Sequence, residues 1–89
     1  NIKVYVIGIK PTLDRLYLDK EERIFNDSIS MLASNDAYLE YINVWDSMLN
    51  RDGTRMPELY IEDGLHMNER GYKIWKKLVR ESLSQNFDL

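Results

Sequence analysis

Asp63-Gly64-Leu65-His66-Met67-Asn68-Glu69-Arg70-Gly71-Tyr72 sets the single histidine of the chain beside a strong helix start. A carboxylate precedes the imidazole by three residues, and the glycine between them permits a tight turn. Asn68 is a favoured N-cap residue. Beyond it Tyr72, Trp75, Leu78, Val79 and Leu83 form an apolar stripe at helical spacing. The stretch predicts a turn that hands the chain to an amphipathic C-terminal helix. An imidazole exchanges protons near neutral pH, and a neighbouring carboxylate fixes its tautomer and stabilises its charged form. Activation of a serine nucleophile needs both. The plainer reading also stands: a lone histidine is commonly a surface or satisfied core residue, and Asp-Gly is a common turn pair.

Working outward, Ile2-Lys3-Val4-Tyr5-Val6-Ile7 is β-branched and aromatic, lacks strict alternation and stops at Gly8. It reads as a buried, parallel strand. Pro11 forbids helix continuation in the loop that follows. Residues 19–34 are helical in pattern, with Ile24, Phe25, Ile29 and Leu32 on one broad face. Asp19, Glu21 and Glu22 crowd the first turn, where the helix dipole favours them. Ser34-Asn35-Asp36 ends that helix, and residues 38–45 form a second strand. Residues 46–57 are a turn-rich connector, followed by Glu58-Leu59-Tyr60-Ile61. The order strand, helix, strand, loop, helix predicts one right-handed βαβ unit with a covering helix. Two parallel strands are not a stable sheet, so the first strand should have an open edge that accepts another.

Eighty-nine residues make one small domain at most. A chain of this size buries only about 60–65% of its unfolded surface. With 44% hydrophobic and 30% charged residues it belongs among ordered globular chains. A net charge of −3 gives no basic footprint for nucleic acid. The absence of cysteine removes disulfides and thiolate metal sites and leaves the compartment open. One histidine without cysteine is a poor zinc set, and no metal or cofactor is expected. No apolar run approaches the roughly 20 residues of a membrane span. The chain enters a strand directly from Asn1 rather than from a Met, which predicts a polypeptide continued upstream.

The string DGLHMNERGY, with the lead-in Pro57-Glu58-Leu59-Tyr60, resembles the last block of the SGNH (GDSL-type) serine hydrolases. In that family an Asp-x-x-His pair completes a Ser-His-Asp triad. The resemblance implies the C-terminal strand-helix-strand-helix portion of a flavodoxin-like three-layer α/β/α hydrolase, with residues 1–89 a single partial domain. It implies Asp63 and His66 as catalytic residues and a small acyl or acetyl ester of a lipid or carbohydrate as substrate. An upstream segment or second chain would bring the serine and oxyanion hole and complete the sheet, and residues 1–89 alone would be inactive. Lys10 follows the first strand where related enzymes carry an Ile-Lys-Pro-Ser-Pro-like segment; Thr12-Leu13 departs from it. Lys10 either lines the active-site rim or is solvated. Trp45, at the end of the second strand, either walls an acyl pocket or is a core aromatic. Asp46 and Glu62 are rival carboxylates: Asp46 reads as the cap of a short helical turn, Glu62 as solvent-facing. Asn35 lacks the preceding glycine of the family's oxyanion block. None of Ser28, Ser30, Ser34, Ser47, Ser82 or Ser84 sits in a Gly-Asp-Ser elbow. The alternative is a non-catalytic α/β fragment or interaction module lacking a nucleophile.

Overall fold

Two short strands, β1 (Val4–Ile7) and β2 (Leu39–Ile42), pair in parallel in the computed structural model, with Val4 opposite Leu39 and Ile7 opposite Ile42. The structure describes residues 2–85. Between the strands lies α1 (Asp19–Ser34), and the described residues end with α2 (Glu69–Ser84). Single 3₁₀ turns occupy Leu16–Leu18, Asp46–Met48 and Pro57–Leu59. The architecture is thus α/β, as the sequence pattern predicts.

Both strands are shorter than that pattern suggests. β1 stops because its exit is captured from the side. Asn26, buried in α1, accepts the Ile9 N–H at 2.8 Å and donates to the Ile9 carbonyl at 3.1 Å. Its amide thus replaces a neighbouring strand for one residue. At Gly8 a Cβ would lie 2.7 Å from the Tyr41 ring and 2.9 Å from Asn26 Oδ1, so only glycine lets these groups meet. β2 stops because Asn43 turns the chain. Its side chain donates to Asp46 Oδ2 at 2.8 Å and accepts the Asp46 N–H at 3.3 Å. This corrects the role expected of Asp46: Asn43 serves the turn, and Asp46 makes no side-chain cap.

Alternation along β2 sends Tyr41 towards α1 and Ile42 and Glu40 towards α2, where Glu40 accepts from Ser82 Oγ. The helices therefore lie on opposite faces of the sheet. The core is centred on the connector rather than between the helices. Ile42, Val44, Met48, Leu59, Tyr60 and Met67 are buried, and Ile74, Trp75, Leu78 and Val79 of α2 close over them. Burying each such side chain contributes about 1.5–3 kcal/mol. Among the described residues the apolar face of α1 finds no such partner: Ile24, Phe25 and Leu32 are 55%, 48% and 59% exposed.

The stripe on α2 is rotated from its sequence expectation. Tyr72 is exposed and Ile74 packs inward. The cause is Gly71, which lets the first turn of α2 press against the Pro57–Leu59 turn. A Cβ there would stand 2.7 Å from the Leu59 carbonyl oxygen and 2.9 Å from Met67 Cβ. Alanine ordinarily favours a helix interior over glycine by about 1 kcal/mol. Gly71→Ala should instead destabilise the protein by about 1–3 kcal/mol, because overpacking outweighs propensity. Urea unfolding of the two proteins measures this, and an unchanged or higher midpoint would refute the close approach.

Candidate functional site

The turn of residues 61–66 is closed at its base. Tyr60 and Met67 form an antiparallel bridge. The Ile61 N–H donates to the His66 carbonyl at 2.9 Å, and the Asn68 N–H to that of Leu59 at 2.9 Å. Asn68 then spends its whole side chain. Its Oδ1 accepts from the N–H groups of Arg70 and Gly71, and its Nδ2 donates to the carbonyls of Glu58 and Tyr60. One residue caps α2 and ties that helix to the strand-like segment before the turn.

Inside the turn Gly64 takes φ +66°, the left-handed conformation that glycine adopts without cost. Its N–H donates to Ile61 at 3.0 Å. Its carbonyl receives two N–H groups from the loop after β1, from Leu13 at 2.9 Å and Asp14 at 3.0 Å. The turn is thereby sewn to the loop that leaves the C-terminal end of β1. Farther along, Tyr60 donates its hydroxyl to the Pro11 carbonyl at 2.5 Å. Burial pushes that phenol up to about 12.

Asp63 uses both carboxylate oxygens. Oδ1 accepts the backbone N–H groups of Leu65 (2.9 Å) and His66 (3.0 Å). Oδ2 lies 2.5 Å from His66 Nδ1. The imidazole hydrogen bond, followed by the Leu65 and His66 N–H groups, holds the Asp63 carboxyl down at about 2. It is therefore ionised at neutral pH, and an ionised carboxylate only accepts. Nδ1 of a neutral imidazole must then carry the proton, which leaves the lone pair on Nε2. The His66 side chain is 70% exposed, and Nε2 makes no hydrogen bond among the described residues. Chemically the pair is an oriented base open to an incoming group.

Lys10 lies near this turn. It is half buried, its ammonium 6.0 Å from the centre of the Trp75 ring. With Leu65 it lines a hollow of about 190 Å³. Trp45 goes elsewhere. It is buried between the guanidinium groups of Arg23 and Arg55, each 5.1 Å from its ring, and borders a different hollow. Glu62 is exposed. Asn35 donates to the Met31 carbonyl as a helix-ending residue. Ser28, Ser34 and Ser84 donate to carbonyls of their own helices.

Sequence reasoning missed Asn26 and Arg55. Arg55 donates to Asp19 at 2.6 Å and to the Thr12 carbonyl at 3.4 Å, joining the connector to α1 and to the loop after β1. Asn26 had a signal, a short amide next to the apolar face of α1. Arg55 had none, because its partners are 36 and 43 residues away.

No family model matches the chain. It is 30% identical over 79 residues to the N-acylneuraminate cytidylyltransferase of Escherichia coli O18:K1:H7 (strain RS218 / NMEC). That match covers 89% of this chain and 18% of the relative. Its fold is similar to that of a candidate platelet activating factor from Streptococcus pneumonia, with a TM-score of 0.73 and 25% identity. There the match covers 91% of this chain and 41% of the other. The chain thus spans less than half the length of either protein.

The depressed Asp63 carboxyl carries a pH signature. A group whose folded pKa lies below its unfolded value stabilises the fold above the unfolded value and loses that effect as pH falls. The Asp63 contribution should be complete above about 4, fade as pH falls, and vanish below about 2. Carboxyl carbon NMR should place the Asp63 midpoint near 2, and His66→Ala should move it up towards the ordinary value. The shift should stop short of that value because the backbone N–H groups of residues 65 and 66 still donate to Oδ1. An ordinary midpoint in the unaltered protein would contradict the geometry.

Proposed function

We propose that this chain carries the general base, His66, and its orienting carboxylate, Asp63, of an SGNH-type serine ester hydrolase. The observation that carries the reading is the Asp63 Oδ2 contact with His66 Nδ1, with Nε2 left open. In this reading a serine from residues outside the chain meets Nε2. His66 takes the hydroxyl proton as the serine oxygen bonds to the acyl carbon. The ester C–O bond then breaks, and His66 returns the proton to the departing alcohol. Water, activated by the same nitrogen, releases the acid and restores the serine. Asp63 holds the tautomer and stabilises the imidazolium without being protonated. The substrate is a small acyl or acetyl ester, and the reaction as written needs no cofactor.

The surrounding scaffold is proposed to be a flavodoxin-like three-layer sheet, of which β1 and β2 are one part. Two observations favour a larger sheet. β1 pairs on one edge only among the described residues, and the face of α1 around Ile24, Met31 and Leu32 is open. Sheet edges and apolar helix faces of this kind call for cover. The fold likeness also extends over only 41% of the Streptococcus structure. The cytidylyltransferase activity belongs to a relative of which the match covers 18%, and no residue described above supplies it.

The test is steady-state kinetics on the full-length protein with p-nitrophenyl acetate. His66→Ala should lower kcat by about 10²–10⁴-fold with little change in KM, since the base acts in the transition state. Asp63→Ala should cost less, leaving the imidazole present but poorly held. A kcat for His66→Ala near that of the unaltered protein would favour the non-catalytic interaction module.

A further inference from the structure

The loop after β1 meets the Asp63–His66 turn at two places. At the tip, the N–H groups of Leu13 and Asp14 both donate to the Gly64 carbonyl. At the base, the Tyr60 hydroxyl donates to the Pro11 carbonyl at 2.5 Å. Within the turn the Gly64 N–H returns to the carbonyl of Ile61, the residue next to Tyr60. These bonds close a cycle: from Tyr60 to Pro11, along the loop to Leu13, across to Gly64, and back through Ile61. Asp63 belongs to the arc between Ile61 and Gly64, and His66 follows two residues beyond the tip. A cycle resists shear that a single tie permits, because displacing either arm must stretch bonds at both ends. The hydroxyl of Tyr60 is its one side-chain link, and that link is dry. Tyr60 is 6% exposed and Pro11 is fully buried, so water is poorly placed to replace a lost donor. Burial pushes the phenol up to about 12, which keeps it a donor throughout the range where histidine titrates. Arg55 supports the next carbonyl of the loop, that of Thr12, through a longer contact of 3.4 Å from Nε.

We infer that Tyr60 is a positioning residue: its hydroxyl clamps the loop after β1 to the base of the turn, and the clamp holds Asp63 and His66 in pairing distance. The effect on turnover rests on the hydrolase reading above; the effect on the pair itself does not need it. The hydroxyl and the aromatic ring of Tyr60 have separate tasks. The ring packs in the core with Ile42, Val44, Met48, Leu59 and Met67, and phenylalanine would keep that packing. Only the hydroxyl reaches the loop, so its removal opens the cycle while the core stays filled.

Tyr60→Phe in the full-length protein tests this, with Ile42→Val as a control that loses core contact and no bond of the cycle. Both variants should lower the urea midpoint. Only Tyr60→Phe should disturb the pair. By NMR its Asp63 carboxyl midpoint should rise clearly above about 2, and the His66 Nδ1 proton should lose deshielding and exchange with water about tenfold faster. With p-nitrophenyl acetate, kcat should fall about tenfold with KM unchanged. Replacing Tyr60 by 4-aminophenylalanine, which keeps a donor on the ring, should return all three towards the unaltered values. Should Tyr60→Phe not fold, Arg55→Gln, which frees the Thr12 carbonyl of the same loop, should move the same readouts in the same direction. An Asp63 midpoint and Nδ1 proton left unmoved, or moved equally by Ile42→Val, overturn the inference whatever the kinetics. If both move while kcat holds in an enzyme whose turnover depends on His66, the positioning role falls and the hydrolase reading stands. If His66→Ala spares turnover, the hydrolase reading falls, and the two NMR readouts still decide whether Tyr60 holds the pair.

Discussion

Asp63 holds a backbone turn with one carboxylate oxygen and an imidazole with the other. Neither task is separable from the other. The turn places His66 where Oδ2 can reach it, and the imidazole helps keep the carboxylate ionised and accepting. The same turn is anchored at three further points. Gly64 offers its carbonyl to the loop after β1, the Tyr60–Met67 bridge closes the base, and Asn68 begins α2. A solvent-facing side-chain pair is thus mounted on backbone hydrogen bonds. Orientation at an exposed site needs such fixed supports, because solvent offers the imidazole many equivalent partners.

The core explains why the supports hold. It gathers the residues that flank the turn, Leu59, Tyr60 and Met67, with Ile42 and Val44 from β2 and its exit. α2 closes over them, and Gly71 admits the close approach. The opposite side of the sheet is organised by polar devices. Asn26 grips the exit of β1, while Arg55 spans Asp19 and the Thr12 carbonyl beneath Trp45. These contacts hold α1 while its apolar face stays exposed among the described residues.

Much of this was legible in the sequence. The bounds of α1, the capping role of Asn68 and the parallel pairing of the strands follow from local pattern, because caps and periodicity are local physics. The Asp63-Gly64-Leu65-His66 spacing announced a turn bearing a carboxylate and an imidazole for the same reason. What escaped was non-local. The shorter strands depend on Asn26 and Asn43 diverting the chain, and the rotated stripe of α2 depends on a contact between Gly71 and Leu59. The placement of Trp45 depends on two arginines, one of them in the connector. The burial of Thr12 and of one Glu22 oxygen is likewise set by tertiary approach, which no single-segment pattern encodes.

The central claim is that Asp63 fixes His66 with its proton on Nδ1 and its lone pair on Nε2. Long-range proton–nitrogen correlation NMR of the neutral imidazole reads this directly. The account predicts the Nδ1–H tautomer, with a strongly deshielded proton shared with the carboxylate. A predominant Nε2–H tautomer, or an even mixture of the two, would contradict it.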